Sequence, residues 1–431
     1  MVTEIAIIVI SLCIPTFAGS GIMVFVLMGT DVKGGTSVGP VQKQAKWASL
    51  TRHPHMATEM LEEDLAMIRI PDRGDYSQAS GGTGGFRWTT NNFIDAHKQV
   101  RSSGKYNFEA CRIPVPTLIR YDRMRMALGD NISPKEARVL NLLKFGMPIN
   151  CKSNYGIRKQ QKNHYSALCF KDSISDYLAK NIHCQAILGP FESPPLEDLC
   201  FSPLMTVPKD EKRRVIVDFS FPAGKSINDG IPTATYLEFA AEFSLPSVQS
   251  MVSRLNTLGP GCLMYKRDLK AAFRQFNIDP GDYVFSGLSW DGKTYIDTRL
   301  AMGLRSSAYC CQSVTEIVAK IASEEAHVLV YLDDFGGAEQ AGKALSSFMH
   351  LGNVISHLGL EEAAEKAVAP TIRMDWLGIT FDTSEWTMAL KAGKLQELLT
   401  WLPKLLKLKR VKKTLLQKIL GNLVWASAVQ W

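Results

Sequence analysis

Val328-Leu329-Val330-Tyr331-Leu332-Asp333-Asp334 is a run of five apolar residues that stops on two carboxylates. An apolar run this short fits a strand buried on both faces, and Asp favours the turn that follows because its side chain bonds its own backbone. The stretch predicts a strand ending in a hairpin, with Asp333 and Asp334 at the tip. Upstream, Cys262-Leu-Met-Tyr265 is a second apolar run, closed by Lys266-Arg267-Asp268 where a helix is expected to begin. If the two runs are neighbours in one sheet, Asp268 and Asp333 converge although 333 − 268 = 65 positions separate them. Like charges placed that close raise each other's pKa unless cations fill the gap. Mg²⁺ takes hard oxygen ligands, and two such ions about 3.5–4 Å apart serve an in-line phosphoryl displacement. An Asp doublet in a tight turn is also an ordinary structural feature, so its neighbours must decide what it does.

Outward from that hairpin the texture mixes strands and helices. Strand-like runs occur at Leu204-Met-Thr-Val207 and Val215-Ile-Val217. Ser133-Pro134-Lys-Glu136 reads as a helix start, with Ser as the cap and Pro in the first turn. Ala308, Cys311, Val314, Val318 and Ile321 share one helical face, and Leu395, Leu398, Leu402 and Leu405 share another. Without a strict strand–helix–strand rhythm, the pattern predicts an α+β fold.

The whole chain has 431 residues, 46% of them hydrophobic, and 49 Lys+Arg against 42 Asp+Glu give a net charge of +7. These proportions exclude a collagen, a coiled-coil rod and a wholly disordered chain, and the length suits roughly two to three domains. The nine Cys include no CxxC pair, which excludes a zinc knuckle and argues against a disulfide scaffold; buried reduced thiols are expected. Residues 5–30 carry no charge, and the stretch 5–28 is long enough to cross a bilayer. Pro15, Gly19 and Gly21 interrupt it, so a membrane span and a plain apolar extension both stand. The Gly-rich Ser80-Gly-Gly-Thr-Gly-Gly85 marks a linker or a weakly ordered stretch. Between 391 and 418, nine Lys and Arg face Glu397 alone, a local charge of +8, which suits either a solvated helix face or a grip on phosphates.

Read in order, the motifs resemble the reverse transcriptases, most closely those of DIRS-like tyrosine-recombinase retrotransposons. The resemblance runs through Gly189-Pro-Phe191, Ser202-Pro-Leu204, Val207-Pro-Lys209 and Arg214-Val-Ile-Val-Asp218. It continues through Lys225-Ser-Ile-Asn228-Asp-Gly230, Asp268, Leu300-Ala-Met-Gly303-Leu-Arg305, Tyr331-Leu-Asp-Asp334, Lys366 and Trp376-Leu-Gly378. It implies a right-hand polymerase with fingers, an antiparallel-sheet palm and a partial helical thumb. The implied division is 1–30 apolar segment or transmembrane helix, 31–112 linker or weakly ordered stretch, 113–185 helical pre-fingers, 186–390 fingers and palm, and 391–431 truncated basic helical thumb. The implied activity is RNA-directed DNA synthesis from dNTPs on a primed RNA or DNA template, with two Mg²⁺ ions (or Mn²⁺). The family's location is cytoplasmic or nuclear, with the membrane reached only through residues 5–28.

The match also implies roles. Asp268 and Asp333 would ligate the metals, supported by Asp334, and Lys366 would protonate the departing pyrophosphate. Lys209 and Arg214 would meet the triphosphate, where the planar guanidinium fork suits phosphate oxygens. Phe273 would lie under the sugar and exclude a 2′-hydroxyl. Met302 and Gly303 would face the nascent pair, and Trp376, Leu377 and Gly378 would form the primer grip. The chain departs from the family at Ala301 and Ala308, where Pro is usual, and at Gly336-Gly337, which replaces apolar strand residues. Two rival readings follow: an RNA-dependent RNA polymerase, disfavoured by Phe273, and an inactive, truncated relic that binds nucleic acid without catalysis.

Overall fold

A computed structural model describes residues 6–7, 28–29, 88–102, 114–130, 132–152, 161–209, 212–241, 245–406 and 413–426. Helix and sheet are mixed, and the chain divides into two units. One comprises 70–258 and 262–371; the other comprises 1–69, 259–261 and 372–431.

In chain order the first unit contains α1 (Thr90–Ser102), α2 (Tyr121–Leu128), α3 (Pro134–Phe145) and α4 (Lys171–His183). There follow β1 (Ile187–Phe191), β2 (Leu204–Lys209), β3 (Lys212–Val217), α5 (Val248–Leu258) and β4 (Leu263–Asp268). Next come β5 (Gly287–Trp290), β6 (Lys293–Asp297), α6 (Ser307–Ala322), β7 (Leu329–Tyr331), β8 (Asp334–Glu339), α7 (Ala341–His357) and β9 (Val368–Thr371).

Its central feature is an antiparallel sheet in the order β7-β8-β4-β9. The two apolar runs singled out in the sequence are therefore in one sheet, and β8 links them, pairing with both. Helices α5, α6 and α7 pack on this sheet. Helix α6 is buried on nearly every side, more than the single apolar stripe predicted for it. Helix α3 starts on the expected box: Ser133 Oγ accepts from Glu136 N (3.2 Å), and Glu136 Oε2 accepts from Ser133 N (2.8 Å). The other Glu136 oxygen takes Lys320 Nζ of α6 at 2.6 Å, so the cap also ties two helices together.

Of the two glycines of β8, Gly337 has a packing reason. Gly337 is the register partner of Tyr265, and a Cβ there would collide with the Tyr265 ring and the His327 carbonyl. The ring crosses the bare strand so that its hydroxyl donates to His327 O at 2.8 Å. The loss of β-propensity is thus exchanged for a buried aromatic lying over a cross-strand glycine.

For residues 88–102 the linker expectation gives way to structure. Helix α1 buries Phe93, Ala96, His97 and Val100, and His97 Nδ1 lies 2.7 Å from Pro280 O. The aromatic Trp88 and Phe93 outweigh the Gly-rich texture before them, packing edge to face with centroids 5.0 Å apart. The rest of 31–87, including the Gly-rich stretch, lies outside the described residues. So does the apolar segment, apart from a two-residue pairing of Ala6–Ile7 with Met28–Gly29. Among the described residues no helix is long and apolar enough to cross a membrane.

Five of the seven described cysteines are buried, and none is in a disulfide, but Cys169 and Cys184 are exposed, against expectation. Burial pushes the Cys262 thiol up to about 11 and those of Cys151 and Cys310 up to about 12.

The second unit holds the meander β10 (Arg373–Trp376), β11 (Ile379–Asp382) and β12 (Thr387–Leu390), then α8 (Ala392–Leu406) and α9 (Lys413–Ala426). Among the described residues this meander pairs with itself, β10 with β11 and β11 with β12. Leu398 and Leu402 of α8 bury against Ile419, Leu423 and Ala426 of α9, which accounts for the predicted apolar face.

Candidate active site

Asp268 is the last residue of β4, and its register partner is Asp334, the first residue of β8. Directly opposed residues in an antiparallel pair have Cα atoms about 4.5–5.5 Å apart and side chains on one face. Tyr331 pairs with Asp334 as well, so Leu332 and Asp333 form a two-residue loop. Leu332 has φ +55°, which Asp333 does not share, and positive φ at the first central position alone is the pattern of a type II′ turn. A non-Gly residue there is strained by about 1–2 kcal/mol and must be held. Gln312 of α6, itself buried, does so: its Oε1 accepts from Leu332 N at 2.7 Å and its Nε2 donates to Val330 O at 3.1 Å. Leu269 N donates to Asp333 O at 2.9 Å, which fixes the loop against the end of β4. Register thus sets Asp268 opposite Asp334, with Asp333 in the adjoining loop.

Two lysines face them. Ala363 N donates to Asp268 O (2.8 Å), which straps the turn Ala364–Lys366 beside the strand end. Lys366 Nζ then donates to Asp268 Oδ1 at 2.7 Å. Lys266, two residues before Asp268 and so on the same face, lies 3.5 Å from Asp334 Oδ1. That is an ion pair but too long for a good hydrogen bond, and this buried oxygen has no hydrogen-bond partner among the described residues. Burial raises the Asp333 carboxyl above the usual range, with the Asp268 charge adding to it. Burial likewise pushes Asp334 up to about 6, against the pull of Lys266. The hydrogen bond to Asp268 raises Lys366.

Three carboxylates suit a hard divalent ion in kind, and among the described residues the buried Asp334 Oδ1 accepts no hydrogen bond and has only the long ion pair to Lys266. They are not gathered for it as they stand. Among the described residues no three His, Cys, Asp or Glu side chains are grouped closely enough to hold an ion.

The other predicted residues fall on neighbouring pieces of the same unit. Lys209 and Arg214 belong to the β2–β3 hairpin, whose tip at 210–211 lies outside the described residues. Arg214 reaches Met302 Sδ at 3.8 Å, joining the hairpin to the loop before α6. Met302 is 49% exposed, and Gly303 has φ +94°, a conformation that suits Gly. Phe273 is half-buried against the core, in a short 3₁₀ turn where a regular helix was expected.

In the second unit, Trp376 is 1% exposed and its indole Nε1 finds no partner among the described residues. As a predicted grip residue it is buried. Leu377 (φ +48°) and Gly378 (φ +79°) form the adjoining turn, with positive φ at both central positions, as in type I′. Trp425 covers that turn and donates to Leu377 O at 3.2 Å. Of the predicted basic face, residues 407–412 lie outside the described residues; Lys391 pairs with Asp375 at 3.1 Å and Lys394 with Glu397 at 2.9 Å.

Three residues that shape the site were given no role by the sequence. Lys266 was legible only as part of a charged triplet, and Gln312 only as a polar residue on an apolar helix. Asn228 is the third. Its Nδ2 donates to Gly303 O (2.8 Å) and Ser220 Oγ (2.9 Å), while its Oδ1 accepts from Arg305 N (2.8 Å). Ser307 Oγ also donates to Ala301 O at 2.9 Å. Hydrogen bonds from one buried amide and one hydroxyl hold the loop where the two prolines are missing.

No family model matches the chain, and no curated protein does. Among solved structures it is similar to the foamy viral protease-reverse transcriptase in complex with dsDNA, at 16% identity and a TM-score of 0.48 over 73% of this chain and 63% of that one. For the dRH form of that protein with ds DNA the values are 16% and 0.49, over 73% of this chain and 53% of that chain. For the native protease-reverse transcriptase of Prototype Foamy Virus they are 21% and 0.42, over 59% and 33%. The chain therefore spans less than two thirds of the length of each.

Proposed function

We propose that the unit carrying Asp268, Asp333 and Asp334 is the catalytic part of an RNA-directed DNA polymerase of a DIRS-like retrotransposon. The observation that carries this reading is the register pairing of Asp268 with Asp334 beside the strained Leu332-Asp333 turn, within the ordered motifs of the sequence. Asp268 and Asp333 would hold Mg²⁺ (or Mn²⁺), with Asp334 in support. Bound there, the ions would supply the Lewis acidity that activates a primer 3′-hydroxyl and stabilises the leaving oxygen.

This chain's residues do the rest. Lys209 and Arg214 meet the triphosphate of the incoming dNTP, and the Phe273 ring excludes a 2′-hydroxyl. Gly303 lets the backbone approach the templating pair, and Lys366 gives a proton to pyrophosphate. Trp376, Leu377 and Gly378 support the primer through the turn they build, with the buried Trp376 acting from beneath. The template is RNA or DNA, and the basic α8–α9 stretch contributes salt-dependent contacts to its phosphates.

A second reading, a relic that binds nucleic acid without catalysis, is favoured by one observation: the carboxylates are not gathered into an ion-holding cluster. Primer extension on an RNA template with Mg²⁺ or Mn²⁺, beside an Asp333→Asn control, separates the two. Extension with dNTPs that the substitution abolishes supports the polymerase. Template binding without extension, equal to the control, overturns it, and a preference for ribonucleotides would move the assignment to RNA synthesis.

A further inference from the structure

The backbone brings three carboxylates to one strand end, yet their side chains do not form an ion-holding cluster. The ion pairs give a reason. Asp268 is turned to Lys366 and Asp334 to Lys266, one ammonium for each of two carboxylates. Asp333 takes part in no ion pair among the described residues. The two lysines are held differently. Lys266 grows from the central strand β4 and is 21% exposed, hemmed in by the sheet. Lys366 sits on a short turn outside the sheet and is 53% exposed, so its long stem can swing into solvent at little cost.

We infer that Lys366 is a cationic placeholder: its ammonium occupies the Asp268 oxygen that a divalent ion would need, and ion binding displaces it. Binding is then a cation exchange at Asp268, while Lys266 stays on Asp334 and keeps that carboxylate in the supporting position. A compact ammonium suits this task, being a point charge that satisfies one oxygen and leaves no fixed geometry behind. The displaced Lys366 remains within a side chain's length of the site, free to meet the phosphates that arrive with the ion. The inference rests on the polymerase reading only in taking these aspartates as the ion's ligands.

The test is Mn²⁺ affinity, measured by electron paramagnetic resonance on the full chain without nucleotide or nucleic acid. The chains compared are the wild type, Lys366→Met, Lys366→Arg and Asp268→Asn. Removing the placeholder should tighten Mn²⁺ binding roughly two- to tenfold, the scale of a half-exposed ion pair plus a lost like charge. Lys366→Arg, which keeps the charge, should stay near the wild type. In primer extension the same Lys366→Met chain should be slower, so that affinity and rate move in opposite directions. A purely structural Lys366 would move neither affinity nor its response to the Arg variant. Equal Mn²⁺ affinity in wild type and Lys366→Met, with Asp268→Asn abolishing binding, overturns the placeholder and leaves the metal site standing. Binding that Asp268→Asn does not weaken overturns both.

Discussion

Asp333 and Asp334 stand at the open end of a strand pair, whereas Asp279 and Asp282 are sealed within the same unit, 1% and 0% exposed. The sealed pair is approached by backbone amides: Gly281 N donates to Asp279 Oδ1 at 2.7 Å and Ile149 N to Asp282 Oδ2 at 2.5 Å. Burial, with the Asp282 charge adding to it, pushes Asp279 up to about 8, which favours its protonated form. At the open pair, lysines supply the cations instead. Neighbouring carboxylates are thus not in themselves a site. Access and an exchangeable counter-charge separate a candidate metal centre from a structural turn.

The largest effect that sharpens this contrast is on rate. Asp333→Asn should lower primer extension by roughly a thousandfold or more, since metal-supported charge stabilisation is worth several kcal/mol. Asp279→Asn should leave the rate per folded molecule near that of the parent; an equal loss in both would erase the distinction. The next effect is on stability against pH. Folded Asp279 keeps its proton up to about 8 while an unfolded Asp loses it near 4, so the native state binds more protons between those values. Stability present at low pH is therefore lost as pH rises through that window, by up to ~1.4 kcal/mol per unit, and is flat above it. Urea denaturation at a series of pH values should show this slope, and Asp279→Asn should flatten it.

Two further substitutions probe the frame of the open pair. Gly337→Ala forces a methyl into the Tyr265 ring and the His327 carbonyl and should cost ~1–3 kcal/mol in urea unfolding. A neutral result would mean that Tyr265 does not cross the strand there. The smallest effect belongs to the turn itself. Leu332→Gly removes the positive-φ strain but frees the unfolded chain, so a net gain of about 1 kcal/mol or less is expected in thermal unfolding. A loss would show that the Leu332 side chain contributes more than its backbone strain costs.

Much of this was legible beforehand because it is local. The β7 and β2–β3 strands, the Ser133–Glu136 cap and the apolar face of α8 follow from spacing alone. A meeting of Asp268 with Asp333 was expected if their strands were neighbours; β8 lies between those strands instead, and the register partner of Asp268 is Asp334. Helix α1 was missed because the Gly-rich stretch before it dominated the reading, while its apolar contacts are made to residues far along the chain. Exposed Cys169 and Cys184 were missed because a thiol's burial depends on what packs over it.

The amino-acid order by itself determined the β7 and β2–β3 strands, the cap of α3 and the apolar face of α8, because backbone propensity and side-chain periodicity act within a few residues. Only the tertiary structure decided that β8 lies between β7 and β4, that a distant amide on α6 holds the Leu332 turn, and that Lys366 reaches Asp268 from 98 positions away. Those outcomes depend on long-range packing and on which charges share a strand end, and no spacing within the sequence encodes them.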